Sequence, residues 1–497
     1  MLEYVLLGFA EILTPINILA IFAGTLVGTV LGAIPGLSAT MGIAVVLPLT
    51  YGMNPITAMS MLLGAYKGGT FGGSMPAIYL NTPGTPAASA TILDGYPMAK
   101  QGKAGKAMSM TLYSSVISDF FGTLSLIFLS TLLIRVALMF GPPEFATLIL
   151  FSLTLVASLA ADDIIKGLIS GLIGFLLAMV GLDAMSGVPR FTFGIDFLMG
   201  GMDLMVVMIG LFAVSEVLLQ ATSDFGMGEA ISKMDQPATE KISWQEFKKH
   251  IKTLVRGSII GIFIGAIPGL GSTPAAFFSY SEAKRNADNP EDYGKGEVDG
   301  VVAAESANNA TAGSTMIPTL ALGIPGNVTA AVLLGGLMLH GLTPGPQLFE
   351  EQPVTIYAIM LGKLVSCLAL YIVGKYAIKI FKKVTGVPKS IVFPLAFMFC
   401  IVGSYGMNLS IYDIYIMGIL GVLGYFLRKY GFSLAPMLIT FILTPMLEDN
   451  VRRSLTISDG SFAIFVESPI SLLFLVLTVL GLILAKRLHS SLQTSGK

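Results

Sequence analysis

The chain is dominated by long apolar segments. They approach the roughly 20 residues that a helix needs to cross a membrane, and include 15–33, 107–134, 203–220, 354–374 and 411–427. Only 12% of the 497 residues are charged, whereas soluble domains carry about 25%. The apolar runs are continuous rather than alternating, which excludes a transmembrane β-barrel. The sequence therefore predicts an all-α polytopic integral membrane protein embedded in the lipid bilayer.

Several function classes are excluded by what the chain lacks. Its 29 basic and 30 acidic residues nearly balance and form no long basic run, so nucleic acid is not an expected partner. There is no phosphate-binding loop or H-E-x-x-H motif, and the three histidines lie far apart. Cys367 and Cys400 lie in apolar runs and indicate neither a disulfide nor a metal pair. We expect no enzyme activity and no cofactor apart from a coupling ion, Na⁺ or H⁺.

An internal repeat divides the chain. The segment Gly32-Ala33-Ile34-Pro35-Gly36-Leu37 recurs as Gly265-Ala266-Ile267-Pro268-Gly269-Leu270, at an offset of about 233 residues. Farther along, 81–85 matches 323–327. Ordered matches of this kind indicate two homologous halves.

The positive charges indicate that the two halves are inverted. Lys100, Lys103 and Lys106 follow the first half's second Pro-Gly step, whereas the equivalent stretch 341–353 has no base. Cytoplasmic loops are enriched in lysine and arginine, and inverted halves place equivalent loops on opposite sides. We expect a first transmembrane repeat at 1–220, a cytoplasmic linker at 221–256, a second repeat at 257–455, and a C-terminal transmembrane helix and tail at 456–497.

Pro-Gly steps interrupt several of the apolar runs. A proline breaks the helix and a glycine permits a sharp turn, so these runs indicate re-entrant or broken helices with Pro-Gly tips. Each tip would expose backbone N–H groups at the start of a half-helix, where anions bind. Inverted repeats with broken helices are typical of secondary transporters, although an anion channel with re-entrant loops has the same signature.

The residues beside the tips are the candidate binding site. We predict substrate-binding roles for Pro35, Gly36, Ser38, Thr40, Lys67, Ser74, Asn81, Thr82, Pro83, Gly84, Thr85, Pro268, Gly269, Ser272, Thr273, Asn308, Asn309, Pro325, Gly326 and Asn327. Close helix packing is the alternative role for the small residues, and for Lys67 the alternative is snorkelling to the interface.

The coupling ion has separate candidates. Unwound carbonyls and hydroxyl or amide oxygens near Gly36, Ser38, Gly269 and Asn309 would suit Na⁺. A proton would instead need an embedded carboxylate. The candidates are Glu305, Asp119 and the pair Glu216 and Glu448, which we expect to be helix-end charges.

At these same residues the sequence resembles the large membrane subunit, TctA, of the tripartite tricarboxylate transporter family. The resemblance runs from about residue 20 to 455 and includes the motifs 32–37, 81–85, 94–99, 307–310 and 340–346. It implies an elevator-type carrier of the cytoplasmic (inner) membrane that imports small carboxylates such as citrate by symport. It also implies a small membrane subunit and an extracytoplasmic substrate-binding protein as partners. Lys67 departs from the family pattern, in which we expect a neutral residue.

The inverted arrangement makes a prediction about labelling. A cysteine at Lys103 should react with a membrane-impermeant thiol reagent only from the cytoplasm, because inversion of the halves places the basic loop 100–106 on that side. A cysteine at Gln347 should react only from outside. Labelling of both positions from one face would rule out the inversion. For assembly of the chain with itself, the candidate is a homodimer.

Overall fold

Helices account for nearly all of the regular structure. The computed structural model describes residues 2–34, 37–159, 163–183, 185–222, 242, 244–385 and 389–495. In that part of the chain, six helices are long and apolar enough to cross a membrane: Pro15–Ala33, Ala104–Ala137, Leu204–Ala221, Pro353–Phe381, Ile411–Lys429 and Leu434–Ile457. The prediction of an all-α, multi-pass membrane protein is thereby confirmed.

The N-terminal half contains helices α1 to α10. They are α1 (Leu2–Ile12), α2 (Pro15–Ala33), α3 (Ala39–Val46), α4 (Pro55–Leu80), α5 (Ala88–Lys100), α6 (Ala104–Ala137), α7 (Pro142–Leu159), α8 (Ile164–Ala178), α9 (Leu204–Met208) and α10 (Ser215–Ala221). A π-helical segment, Ile209–Val214, joins α9 to α10. Two short strands, β1 (Gly181–Leu182) and β2 (Pro189–Arg190), pair antiparallel with Gly181 opposite Arg190.

The remaining described helices are α11 to α23. They are α11 (Trp244–Lys249), α12 (Ile251–Gly265), α13 (Ser272–Arg285), α14 (Val298–Ser314), α15 (Met316–Leu322), α16 (Val328–Leu339), α17 (Pro346–Glu351), α18 (Pro353–Thr385), α19 (Lys389–Asn408), α20 (Ile411–Lys429), α21 (Leu434–Ile457), α22 (Ile464–Glu467) and α23 (Pro469–Ser495).

Local sequence explains where many of these helices begin. α2, α4 and α18 begin at a proline, whose fixed φ suits the first helical position and whose missing N–H is not needed there. Ser38 and Asn327 cap α3 and α16 by accepting hydrogen bonds from Met41 N and Ala330 N. These caps fix the chain direction directly after two of the Pro-Gly steps.

Helices α2 and α4 cross at backbone contact. The glycines of α2 lie directly against the backbone of α4: Gly24 against Met61, Gly28 against Ala65 and Gly32 against Gly69. A Cβ atom on Gly28 would lie 2.1 Å from the carbonyl oxygen of Ala65, so no larger residue fits without separating the helices. Small residues at crossings of this kind let membrane helices gain packing energy that lipid does not supply.

The same crossing recurs in the second half. Helix α12 meets α14 through Gly257 against Ala303, Gly261 against Ala307 and Gly265 against Thr311. Each pair matches a pair of the first half, with an offset of about 233 residues on one helix and about 242 on the other. The repeat seen in the sequence is therefore also a repeat of contacts.

The helices before the second Pro-Gly step of each half end alike. Asn81 follows α4 with φ +56° and Gly323 follows α15 with φ +71°, both in the left-handed region that asparagine and glycine tolerate best. The N–H of Asn81 donates to the carbonyl of Pro76, and that of Gly323 to the carbonyl of Pro318. Both helices thus stop with the same cap before 83–84 and 325–326.

The two halves also exchange packing partners. Gly174 of α8 lies against the backbone of Met437 in α21 of the other half. Reciprocally, Gly424 of α20 lies against Leu211 and Ser215 of the first half. Each half therefore packs against a helix of the other half. The domain boundaries that we drew from the sequence stay a prediction.

The glycine crossings predict a stability effect. Gly28→Ala and Gly261→Ala should each destabilise the protein by about 1–3 kcal/mol, because the added methyl group overpacks a backbone contact. The measurement is thermal unfolding of the full chain in detergent. Gly418→Ala is the matched control, since a Cβ there meets nothing within 4 Å, and it should leave the melting temperature unchanged or raise it. Equal melting temperatures for all three variants would contradict the packing account.

Candidate functional site

The first half presents one described tip, in the loop 81–87 between α4 and α5. Gly84 N donates to Gly73 O of α4 at 3.0 Å, and a Cβ on Gly84 would lie 2.7 Å from Gly32 O of α2. The tip is thus seated on the α2–α4 crossing. Pro83 is exposed beside it, while Thr82 N donates to Pro76 O and Thr85 Oγ1 accepts from Ala88 N. Pro35 and Gly36, the other predicted tip of this half, lie outside the described residues.

The two tips of the second half touch each other. Gly269 N donates to Gly326 O at 3.0 Å, which joins the loop 266–271 to the loop 323–327. Gly269 has φ +85°, a conformation that favours glycine. Pro268 and Pro325 precede these glycines. The loops lead into α13, whose first turn holds Ser272 and Thr273, and into α16.

The halves meet just beyond their tips. The hydroxyls of Thr40 on α3 and Thr329 on α16 lie 2.8 Å apart. Asn327, which caps α16, also donates from Nδ2 to the hydroxyl of Tyr66 on α4 at 3.1 Å. The structure therefore brings the segment after the first tip of one half to the segment after the second tip of the other.

A cavity of about 470 Å³ opens at the first-half tip. It is lined by Ser38, Pro83, Gly84, Thr85 and Pro86 together with Glu216, Leu219, Gln220, Thr222 and Arg428. Four of the predicted substrate-binding residues thus share one wall. Cavities of this size hold small-molecule ligands.

The lining of the cavity also includes a cation that the sequence did not assign to the site. Arg428, at the end of α20, forms an ion pair with Glu216 of α10. Gln220 Nε2 donates to the other oxygen of Glu216 at 2.9 Å. Arg428 remains about one-third exposed, so its guanidinium faces the cavity while partly neutralised. The sequence makes Glu216 a carboxylate candidate for a proton that we expect to be a helix-end charge. It does not identify Arg428 as the partner, because that arginine belongs to the other half of the chain.

The second helix-end glutamate has a similar partner. Glu448 of α21 pairs with Arg190 at 2.7 Å and with Arg452 at 2.6 Å. Asp183 accepts from both arginines, and Arg452, with the N–H groups of 185–186, holds the pKa of that carboxyl below its usual range. Glu216 and Glu448 are therefore each paired with an arginine contributed by the opposite half.

A second polar cluster surrounds the buried carboxylate of Glu305 on α14. Thr91 Oγ1 donates to Glu305 Oε1 at 2.6 Å, and Asn309 Nδ2 donates to Oε2 at 3.2 Å. Asn309 Nδ2 also lies 3.0 Å from Ser115 Oγ, and Ser74 lies beside Glu305. Ser74 and Asn309, both predicted site residues, thus come together here rather than at the tip glycines.

Two other predicted residues have distinct surroundings. Asn308 is buried on α14, and its Nδ2 has no hydrogen-bond partner in the described part of the chain. Lys67 is also buried rather than snorkelling, and its Nζ lies 2.5 Å from Asp119 Oδ2. Its charge is matched within the protein, which the sequence could not reveal because Asp119 lies on another helix, α6.

The chain matches a family model along most of its length. Residues 18–439 match the tripartite tricarboxylate transporter TctA family. The chain belongs to this family.

Two relatives of this TctA-family chain come from Agrobacterium vitis. One is described as an uncharacterized 52.8 kDa protein in the TAR-I ttuC′ 3′ region; it is 37% identical over 467 residues, covering 94% of this chain and 92% of that protein. The other is described as an uncharacterized protein in the TAR-II ttuC′ 3′ region. It is 37% identical over 225 residues, which cover 45% of this chain and 93% of that protein. No solved structure matches the chain.

Membership fixes the general role of the protein. The TctA family is a family of transporter components, not of enzymes, and it belongs to a tripartite system with a small membrane subunit and a binding protein. The apolar helices agree with such a multi-pass membrane component. The resemblance stated from the sequence motifs is thereby confirmed.

The contact between α3 and α16 predicts a cross-link. Thr40→Cys and Thr329→Cys, combined in a chain with Cys367 and Cys400 replaced by alanine, should form a disulfide on mild oxidation, because the native hydroxyls lie 2.8 Å apart. The measurement is cleavage at a protease site inserted in the predicted linker 221–256, followed by non-reducing gel electrophoresis. The fragments should stay joined only in the double variant. Free fragments after oxidation would contradict the contact between the two halves at these threonines.

Proposed function

We propose that this TctA-family chain imports small carboxylates, tricarboxylates such as citrate or dicarboxylates, across the cytoplasmic membrane by cation-coupled symport. A binding protein delivers the substrate and a small membrane subunit completes the transporter. The observation that carries the proposal is the cavity at the Pro83-Gly84 tip, which combines small polar residues with the guanidinium of Arg428.

The chemistry of this cavity favours a carboxylate. Arginine is a planar donor that can hold a carboxylate with two parallel hydrogen bonds. The carboxylate of Glu216 already pairs with the guanidinium of Arg428. A substrate carboxylate would either displace Glu216 from the guanidinium or share the guanidinium with it. Thr85 and Ser38 add hydroxyls to the lining of the cavity, and the volume suits a molecule of citrate size.

We also propose that the two halves are inverted relative to each other and that transport uses an elevator-type movement. The repeated glycine crossings and helix caps support the homology of the halves, and the exchanged pairs Glu216–Arg428 and Glu448–Arg190 are the pairs expected of a two-fold relation. Under the proposed inversion, these pairs lie near opposite faces of the membrane. Each would then break and re-form as the substrate-holding part moves against its support.

For the coupling ion we propose the interior of the tip region. Sodium would be held by oxygens near Gly36, Ser38, Gly269 and Asn309, whereas a proton would need a buried ionisable side chain. Glu305 is buried, and the hydrogen-bond donors around it include no arginine or lysine, which makes this glutamate the carboxylate candidate.

We expect substitutions at the tips to abolish transport without lowering the amount of protein in the membrane. Pro83→Ala loosens the exposed tip, and Gly326→Leu fills the space against Thr315, where even a Cβ would lie 2.9 Å from Thr315 Cβ. Uptake of labelled citrate and of a dicarboxylate panel into vesicles that contain the partner subunits should fall to background for both variants, at equal membrane content.

The control for this experiment is Gly418→Leu, at an open position of α20. It should transport like the wild type. Wild-type uptake by both tip variants would overturn the tip-site proposal. Concentrative uptake and counterflow in the wild type would support a carrier, whereas gradient-independent flux without counterflow would support the channel alternative.

A further inference from the structure

Three ionisable side chains are buried together between helices α4, α6 and α18. Lys67 of α4, Asp119 of α6 and Lys363 of α18 are 1%, 1% and 0% exposed. Lys67 Nζ lies 2.5 Å from Asp119 Oδ2, and Lys363 Nζ lies 3.4 Å from Asp119 Oδ1. One carboxylate thus faces two amines.

The two lysines are held differently. Lys67 Nζ contacts Asp119, donates to the carbonyl of Lys363 at 2.8 Å and lies 2.9 Å from Cys367 Sγ. Lys363 Nζ has one ion-pair contact, the longer one with Asp119, and no hydrogen-bond partner in the described part of the chain. Lys67 and Asp119 therefore form a closed, neutral pair, and a charge on Lys363 is in surplus.

The helices packed against α18 offer no second carboxylate to Lys363 within the described residues. α4 contributes Tyr66 and Lys67, α6 contributes Asp119, and α18 itself contributes Cys367. α2 has no titratable side chain. The acidic residues of α1 and α17, Glu3, Glu11, Glu350 and Glu351, are all exposed. Burying a charge without a full partner is strongly unfavourable, so a charged Lys363 needs an anion from elsewhere.

A single ring links Lys363 to the tip. Its Nζ lies 5.3 Å from the centre of the Tyr66 ring, within the range of a cation–π contact. The Tyr66 hydroxyl in turn accepts from Asn327, the residue that follows Pro325-Gly326. Thr329, two residues after Asn327, contacts Thr40, two residues after Ser38 of the substrate cavity. The charge of an anion in that cavity can therefore act on Lys363 through a poorly solvated interior.

We propose that Lys363 is a proton-binding site whose occupancy is coupled to anion binding at the tips. Without substrate, the Lys363 amine is neutral beside the Lys67–Asp119 pair. When the anionic substrate binds, the amine takes up one proton from water and becomes an ammonium, and it returns that proton when the substrate leaves. The inference rests on the proposed function, because it requires a carboxylate at the tips, and it assigns the coupling ion as H⁺.

Proton uptake on substrate binding tests this inference directly. The probe is citrate, added to the full chain in nanodiscs with its small membrane subunit, in weakly buffered solution with a pH-sensitive dye. At a pH where citrate is fully ionised, the wild type should take up about one proton per citrate bound. By linkage, its citrate Kd should rise with pH, by up to about tenfold per unit.

Substitutions of Lys363 separate coupling from packing. Lys363→Met is permanently neutral and should bind citrate more weakly at every pH, without proton uptake. Lys363→Arg is permanently charged and should bind tightly at every pH, again without proton uptake. Lys375→Met makes the same chemical change at an exposed position of α18 and should behave as the wild type.

The outcomes distinguish this inference from the function on which it rests. If the wild type neither binds nor transports citrate or a dicarboxylate, the proposed function fails, and the inference fails with it. If the wild type binds citrate but Lys363→Met or Lys363→Arg keeps the wild-type proton uptake and pH slope, only the inference is overturned.

Discussion

The backbone contact between α2 and α4, and its counterpart between α12 and α14, underlies the rest of the structure. In lipid, helices gain little from apolar burial, so close packing at small residues must hold them together. The first-half tip is placed by this contact, since Gly84 is seated on Gly73 of α4 and against Gly32 of α2. Gly326 is seated in the same way on Thr315. Where the helices cross therefore decides where the candidate binding groups lie.

Three buried carboxylates, those of Asp94, Asp119 and Glu305, have different partners in the described part of the chain. Asp94 accepts from the backbone N–H groups of Gly294, Gly296 and Glu297 and from the hydroxyl of Tyr280. Asp119 has two amines, and the hydroxyl and amide donors around Glu305 supply hydrogen bonds alone. The Asp119 cluster therefore has an amine in surplus and the Glu305 cluster has no cation, whereas the backbone donors at Asp94 hold the loop 294–297.

Much of the architecture could be predicted from the sequence. Long apolar runs predict the helices, and the repeated motifs predict the halves. Both signals are contained in short segments of sequence and do not depend on how the helices pack. The helix breaks at 81–87, 266–271 and 323–327 follow from their Pro-Gly steps. The partners of the charged residues could not be predicted: Lys67 meets Asp119, and Glu216 meets Arg428 across halves. Such pairs depend on how helices distant in sequence pack. For the same reason the sequence groups Asn309 with the tip glycines, although its amide lies at Glu305.

The most direct test of the account is whether substrate protects the first-half tip from chemical modification. Thr85→Cys, in a chain with Cys367 and Cys400 replaced by alanine, places a thiol in the lining of the cavity that also includes Arg428. The rate of its alkylation should fall severalfold when citrate or a transported dicarboxylate is added, while the rate for Gln347→Cys, exposed on α17, stays constant. An alkylation rate at Thr85→Cys that no transported carboxylate changes would contradict the placement of the binding site at this tip.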